Sequence, residues 1–431
     1  MWKYCILATA VAFIDLGLSP VMAGETASEV RSRASRQGPA FKTALLRLRF
    51  RKPDEAARFA ELSKAAQHLD HPELPAVLAE SIEVNLNRGQ VTRSVIEAAR
   101  LFCQLDRASL KDEQLALLTH QQANVSLTAV GVSELAQRRV PEAFDIVLQL
   151  AKTPEFLQSF GMRRTVVDSA AQYATPEAVE FLTAVLTEHD GMLRYETARH
   201  LTRLTKQNFG GYPQHWQEWW TANKASFEFD SEISKRPVET QDDGSVEAMP
   251  WPQPVPKFFG QPIYGKRVLF VIDRSRSMLS SVDGVTRNEE VREELEGVID
   301  DLPEGTFFNL IAYEEERQPW ATELVESTFE ARSAAIRFVY SLLPQNKTAL
   351  YDALEEALRH DENTEQIVLL SDGKPTAGRV VIPGAIVELI TRQNVFSQTT
   401  IDAVGIDTRG DEEQFLEQLT SRNFGTLRVI R

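Results

Sequence analysis

Residues 266–278 read Lys-Arg-Val-Leu-Phe-Val-Ile-Asp-Arg-Ser-Arg-Ser-Met. The apolar run at 268–272 has no polar alternation, as a strand buried on both faces requires. It stops at Asp273, and Ser275 and Ser277 follow at steps of two. A loop leaving the strand end can aim all three side chains at one point. One carboxylate and two hydroxyls there make an oxygen-ligand set for a hard cation such as Mg²⁺.

Downstream, apolar periods of two and of 3.6 alternate. Strands are expected at 268–272, 307–312, 367–370, 400–404 and 426–430, and helices at 289–301, 329–343, 349–360, 382–392 and 414–420. This order implies an α/β doubly wound, mostly parallel sheet with helices on both faces. Ligands of such sheets bind at the carboxyl ends of strands, which is where Asp273 falls. Asp372, in Ser371-Asp372-Gly373, leaves the strand 367–370 at that same end, and Thr348 opens the helix 349–360. Taken singly, each residue has a plainer reading. Asp273 can end a strand in a turn, the serines can cap the next segment, Thr348 can be a helix N-cap, and Asp372-Gly373 is an ordinary turn pair.

Taken together, Asp-x-Ser-x-Ser after a buried strand, a threonine opening a helix and Ser-Asp-Gly after a later strand resemble a von Willebrand factor A (vWA) domain with a metal-ion-dependent adhesion site. The likeness covers residues 263–431, including Gly305-Thr306-Phe307-Phe308-Asn309 and Phe424-Gly425-Thr426. The resemblance implies a Rossmann-like fold, with Asp273, Ser275, Ser277, Thr348 and Asp372 as residues for Mg²⁺ or Mn²⁺. It also implies an open metal position filled by an aspartate or glutamate of a partner protein. Arg276 and Lys347 stand where the family tends to have glycine, so they bring positive charge toward the cation or steer an acidic partner to it.

The expected function is therefore non-enzymatic: protein binding, adhesion or scaffolding through a divalent cation. The alternatives are a metal-dependent hydrolase, or a vWA regulatory subunit of an ATP-driven machine. A hydrolase needs a proton-transfer group beside the metal, and His360, at a helix end, is poorly placed for that. No nucleophile elbow, phosphate loop or dinucleotide fingerprint occurs, and the seven histidines lack metal-ligand spacing. The acidic runs near residues 289–296 and 314–316 lack the glycine-turned loop of a calcium site and read as solvated faces.

Residues 38–225 carry helical periodicity throughout. Pro141-Glu142-Ala143 and Pro176-Glu177-Ala178 lie 35 residues apart, and proline is favoured in the first turn of a helix. The clearest pair spans 176–189 and 191–204. Paired helices at such a period imply an all-α solenoid, and the stretch resembles degenerate HEAT repeats. Trp216, Trp219 and Trp220 lie at helical spacing and read as a cap on its end more readily than as a stacking platform. Residues 226–262 are a proline-rich linker within which Trp251, Phe258 and Phe259 are candidates for docking; its length predicts loosely coupled domains.

Composition fits this plan. A chain of 431 residues exceeds one typical core. Its formal charge of −15 argues against a nucleic-acid partner, and residues 261–431 carry 30 acidic against 18 basic residues, a balance of −12. Residues 1–23 read as a secretory signal: Lys3, an apolar stretch from Cys5 to Ile14, and Val21-Met22-Ala23 before the expected cut. Residues 24–37 are a flexible lead-in. Export to the periplasm, cell envelope or extracellular space follows, with no transmembrane segment in the mature chain. Removal of Cys5 leaves Cys103 alone, a buried core thiol with no disulfide partner.

Overall fold

A computed structural model describes residues 58, 62, 65–230, 249–274, 281–282, 285–343 and 347–431. The chain divides into two compact units, residues 1–77 and 78–431. The larger unit contains a helix-rich part and a mixed α/β part.

The helix-rich part runs from Arg93–Gln104 to Pro213–Asn223. Its helices start where the chain supplies a cap. Thr175 precedes Pro176 and accepts from Ala178 N at 3.2 Å, opening Pro176–Glu188, and Thr153 does the same for Pro154–Gln158. The next helix, Gly191–Thr205, packs against Pro176–Glu188. Trp216 and Trp220 are buried, and Trp216 Nε1 donates to Gly210 O at 2.8 Å, so these indoles seal a core. Cys103 is fully buried, and burial pushes its thiol up to about 12.

The α/β part begins with the hairpin β1 (Lys257–Phe258) and β2 (Gln261–Pro262). Then come β3 (Arg267–Asp273), the short pair β4 (Ser281–Val282) and β5 (Val285–Thr286), β6 (Phe307–Tyr313), β7 (Arg317–Pro319), β8 (Val325–Glu326), β9 (Gln366–Ser371), β10 (Thr400–Ile406) and β11 (Leu427–Ile430). The main sheet has the order β11-β10-β9-β3-β6-β7, with β8 also paired to β6. The four pairs from β11 to β6 are parallel, and β7 and β8 run antiparallel to β6. Alternate residues of β3 feed two cores. Leu269 and Val271 pack with the helices Leu350–His360, Pro383–Asn394 and Asp411–Ser421; Val268, Phe270 and Ile272 pack with Arg287–Asp301 and Phe329–Ser341.

The expected loose coupling does not hold. The helix-rich part is fastened to the starts of the sheet strands. Arg164, 1% exposed, donates to Glu196 Oε1 at 3.0 Å, to Thr400 Oγ1 at 2.7 Å and to Gln398 O at 3.0 Å, and its guanidinium lies 4.1 Å from the Phe424 ring centre. Glu365 Oε2 accepts from Met192 N and Lys266 N, both at 3.0 Å, placing a carboxylate at the start of the Gly191–Thr205 helix. A Cβ on Gly161 would lie 1.9 Å from Phe396 O, so only glycine permits that approach. The end of the linker joins in: Trp251 O accepts from Tyr212 Oη at 3.0 Å, Tyr264 stacks on Tyr195 at 3.9 Å, and Phe258 is fully buried in the sheet core. Linker composition reports chain stiffness and carries no information about the surface its ends meet.

Candidate metal centre

The order of the sheet creates the site. From β3 the chain winds outward to β6 on one side, then returns to β9 on the other. The crevice beyond the carboxyl ends of β3 and β9 is thus a topological switch point. Asp273 is the last residue of β3 and Asp372 immediately follows β9.

Asp273 is 2% exposed. Its Oδ2 accepts from Tyr313 Oη at 3.4 Å and from Ser371 Oγ at 3.5 Å, both long for O–H donors. Burial, followed by the charge of Asp273, raises the Tyr313 phenol well above its ordinary range, so it stays a neutral donor. Beside them Asp372 Oδ1 accepts from Lys374 N at 3.1 Å, and Gly373 N donates to Ser371 Oγ at 3.0 Å.

Thr348 is buried but does not cap the helix. That helix begins at Leu350, and its N-cap is Ala349, without a side-chain capping bond. The N–H of Thr348 donates to Thr376 Oγ1 at 3.0 Å, and its carbonyl accepts from Thr376 N at 3.0 Å and Ala377 N at 3.2 Å. From the opposite side Ala349 N donates to Glu314 O at 2.6 Å. Asp273, Asp372 and Thr348 therefore stand on three elements that end or begin at one edge. Ser275 and Ser277, and with them Arg276, lie outside the described residues.

The charges around this edge are compensated. Lys347 pairs with Glu315 at 2.9 Å, Arg274 with Glu314 at 3.8 Å, and Lys374 with Glu412 at 3.4 Å. The acidic run 314–316, read from the sequence as a solvated face, thus neutralises two cations next to the site. Tyr313 and Ser371 were not singled out from the sequence. The available signal was register, because Asp273 pairs with Tyr313 across β3 and β6.

The donor set fits a hard cation. A buried carboxylate held by long hydroxyl contacts, with a second carboxylate following the neighbouring strand, supplies charge and oxygen without soft ligands. Among the described residues no group of three or more His, Cys, Asp or Glu could hold a metal ion. His360 lies at the far end of the helix that Thr348 precedes, beside Asn309 Nδ2 at 2.8 Å, and burial holds its imidazole below the usual range.

Residues 266–429 match the family described as von Willebrand factor type A domain, and the mixed α/β sheet of this part is consistent with that match. Inter-alpha-trypsin inhibitor heavy chain H2 of Mesocricetus auratus is 27% identical over 176 residues, covering 38% of this chain and 18% of that protein. Heavy chain H4 of Bos taurus is 32% identical over 124 residues, covering 26% of this chain and 13% of that protein. The chain thus spans less than a fifth of the length of these curated relatives. Among solved structures, a von Willebrand factor type A protein from Catenulispora acidiphila aligns with a TM-score of 0.34 at 23% identity, covering 39% of this chain and 40% of that one. Proximal thread matrix protein 1 from the mussel byssus, with a zinc-occupied metal-ion-dependent adhesion site, aligns with a TM-score of 0.30 at 16% identity, covering 38% and 43%.

Proposed function

We propose that the vWA domain binds a carboxylate of a partner protein through a divalent cation, Mg²⁺ or Mn²⁺, and that the protein is not an enzyme. Asp273, Thr348 and Asp372, with Ser275 and Ser277 from the loop after β3, are the residues that would hold the cation. The bound ion supplies a positive charge and an open coordination position for an incoming aspartate or glutamate. The observation that carries this reading is the convergence of Asp273 and Asp372 at the switch point, with Thr348 fixed beside them. The vWA relatives add the general habit of protein interaction.

The pairing of Lys347 with Glu315 and of Arg274 with Glu314 supports the reading further, since two cations that would repel a metal are already matched. A hydrolase would need a proton-transfer group over the ion, and His360 sits a helix length of about 16 Å from the Thr348 end. The helix-rich part is a HEAT-like stack in this proposal. With one flank docked on the strand starts it braces the vWA domain, leaving the cation end open to a partner. The expected signal at residues 1–23 lies outside the described residues, and export remains part of the proposal. Among the described residues no helix is long and apolar enough to cross a membrane.

The test is capture of partner proteins from an envelope or extracellular extract by the full chain, with Mg²⁺ and with chelator. Capture that depends on Mg²⁺ and is lost in Asp273→Ala and Asp372→Ala supports the reading. Capture indifferent to chelator and to both substitutions overturns it.

A further inference from the structure

The connection leaving β9 supplies Asp372 and then runs back to Thr348. Thr376 closes a two-way clasp on the Thr348 backbone, accepting its N–H through Oγ1 and donating its own N–H to the carbonyl, each at 3.0 Å. Gly378 follows at φ +92°, where a Cβ would lie 2.3 Å from Asp352 Oδ2 and 3.1 Å from Ala349 Cβ; the chain is pressed against the first turn of the Leu350–His360 helix. Arg379 then fastens it. Its N–H donates to Asp352 Oδ2 at 2.9 Å, its guanidinium bonds Asp352 Oδ1 and Glu355 Oε2, and it lies 5.2 Å from the Tyr351 ring centre.

This clasp is more than a surface ion pair. Asp352 and Glu355 are buried carboxylates, whereas the Arg379 side chain is 57% exposed. The helix does not need it for packing, because Leu350, Ala353, Leu354 and Ala357 already hold it to the sheet. What the clasp adds is a fixed register between the helix start and the segment that begins at Asp372.

We infer that residues 372–379 form a latch that delivers Asp372 at one end and sets the position of Thr348 at the other, with Thr376 and Arg379 as positioning residues for the cation. The inference rests on the cation reading above. Neither residue touches the cation; each acts by holding a group that does, as outer-shell partners of metal ligands do. Arg359 offers an internal control. It bonds the same Glu355, at Oε1 and 3.0 Å, without contacting the latch.

Mn²⁺ binding to the full chain, followed by the electron paramagnetic resonance signal of free Mn²⁺, tests this, with circular dichroism in chelator to report the fold. Arg379→Ala and the near-isosteric Thr376→Val are expected to weaken Mn²⁺ binding about tenfold. Arg379→Lys recovers part of the loss, and Arg359→Ala stays within about twofold of wild type, because the Arg359 bond runs to Glu355 within the same helix and not to the latch. If wild type binds Mn²⁺ and both latch variants bind it equally well, or if Arg359→Ala falls as far as Arg379→Ala, the latch is overturned while the cation reading stands. If wild type binds no Mn²⁺, the cation reading is overturned and the latch with it.

Discussion

The two ends of the central sheet handle polar groups in opposite ways. At the strand starts, every charge that the fold buries meets a protein partner: Arg164 meets Glu196, Thr400 and Gln398, and Glu365 meets the N–H groups of Met192 and Lys266. At the strand ends, Asp273 accepts long hydroxyl contacts from Tyr313 and Ser371, and Asp372 immediately follows the adjacent strand. The first end is closed by the helix-rich part, and the second is where the proposed cation would sit. Burial alone therefore does not distinguish the carboxylates at the two ends, since Glu365 and Asp273 are both buried.

The largest effect expected is at the closed end. Arg164→Ala should cost about 3 kcal/mol, because it strips hydrogen bonds and a cation–π contact from a fully buried position and leaves Glu196 with Arg199 alone at 3.2 Å. Urea denaturation measures the loss. The same variant should bind Mn²⁺ within about twofold of wild type, since the contacts of Arg164 lie at the strand starts and Asp273 at a strand end; a large fall in affinity would show that the two ends are coupled and break the contrast.

At the open end, Mg²⁺ at 100 times its dissociation constant should stabilise the wild type by about 2.7 kcal/mol and Asp273→Ala not at all. Thermal melting with Mg²⁺ and with chelator reads this difference. An equal shift in both proteins would remove Asp273 from the site.

The closed end also has a pH signature. Asp402, near the start of β10, is raised to about 6 from 3.8, chiefly by burial and against the hydrogen bonds from Thr426 and Gln366. A carboxyl raised in the fold binds more protons there than when unfolded, so stability should rise as pH falls from about 6 toward 4, by about 2 kcal/mol. Glu365, raised by burial, acts in the same direction. Urea titrations between pH 4 and 7 should show this slope in wild type and a shallower one in Asp402→Asn.

The smallest effect concerns the charges beside the open end. Glu315→Gln frees Lys347 next to Thr348 and should weaken Mn²⁺ binding about two- to threefold, less in high salt, because both side chains of the pair are about half exposed. No change at low salt would mean that solvent alone screens Lys347.

Much of the α/β part was legible in the sequence. The run at 268–272 and the alternation after it gave strands and helices close to those observed, because buried strands and amphipathic helices write their period into local sequence. The α-helical character of the described residues between 74 and 223 was legible for the same reason. Thr348 shows where such reasoning stops. From its neighbours it reads as an N-cap, but the observed cap is Ala349, and the Thr348 backbone is taken by Thr376 from 28 residues away. Arg164 is a sharper case: a lone arginine in a helix reads as solvated, and the groups that bury it lie 234 and 236 residues further along.

The sequence by itself determined the kinds of element, their order and the oxygen-bearing residues at the strand ends, since these depend on periodicity and residue chemistry within a few positions. The tertiary structure decided which groups surround each buried charge. It set Tyr313 and Ser371 against Asp273, paired Lys347 with Glu315, tied Thr348 to the connection from Asp372, and closed the opposite end with the helix-rich part. The physical reason is that the state of a buried charge depends on groups within a few ångströms in space, and the fold draws those groups from distant parts of the chain.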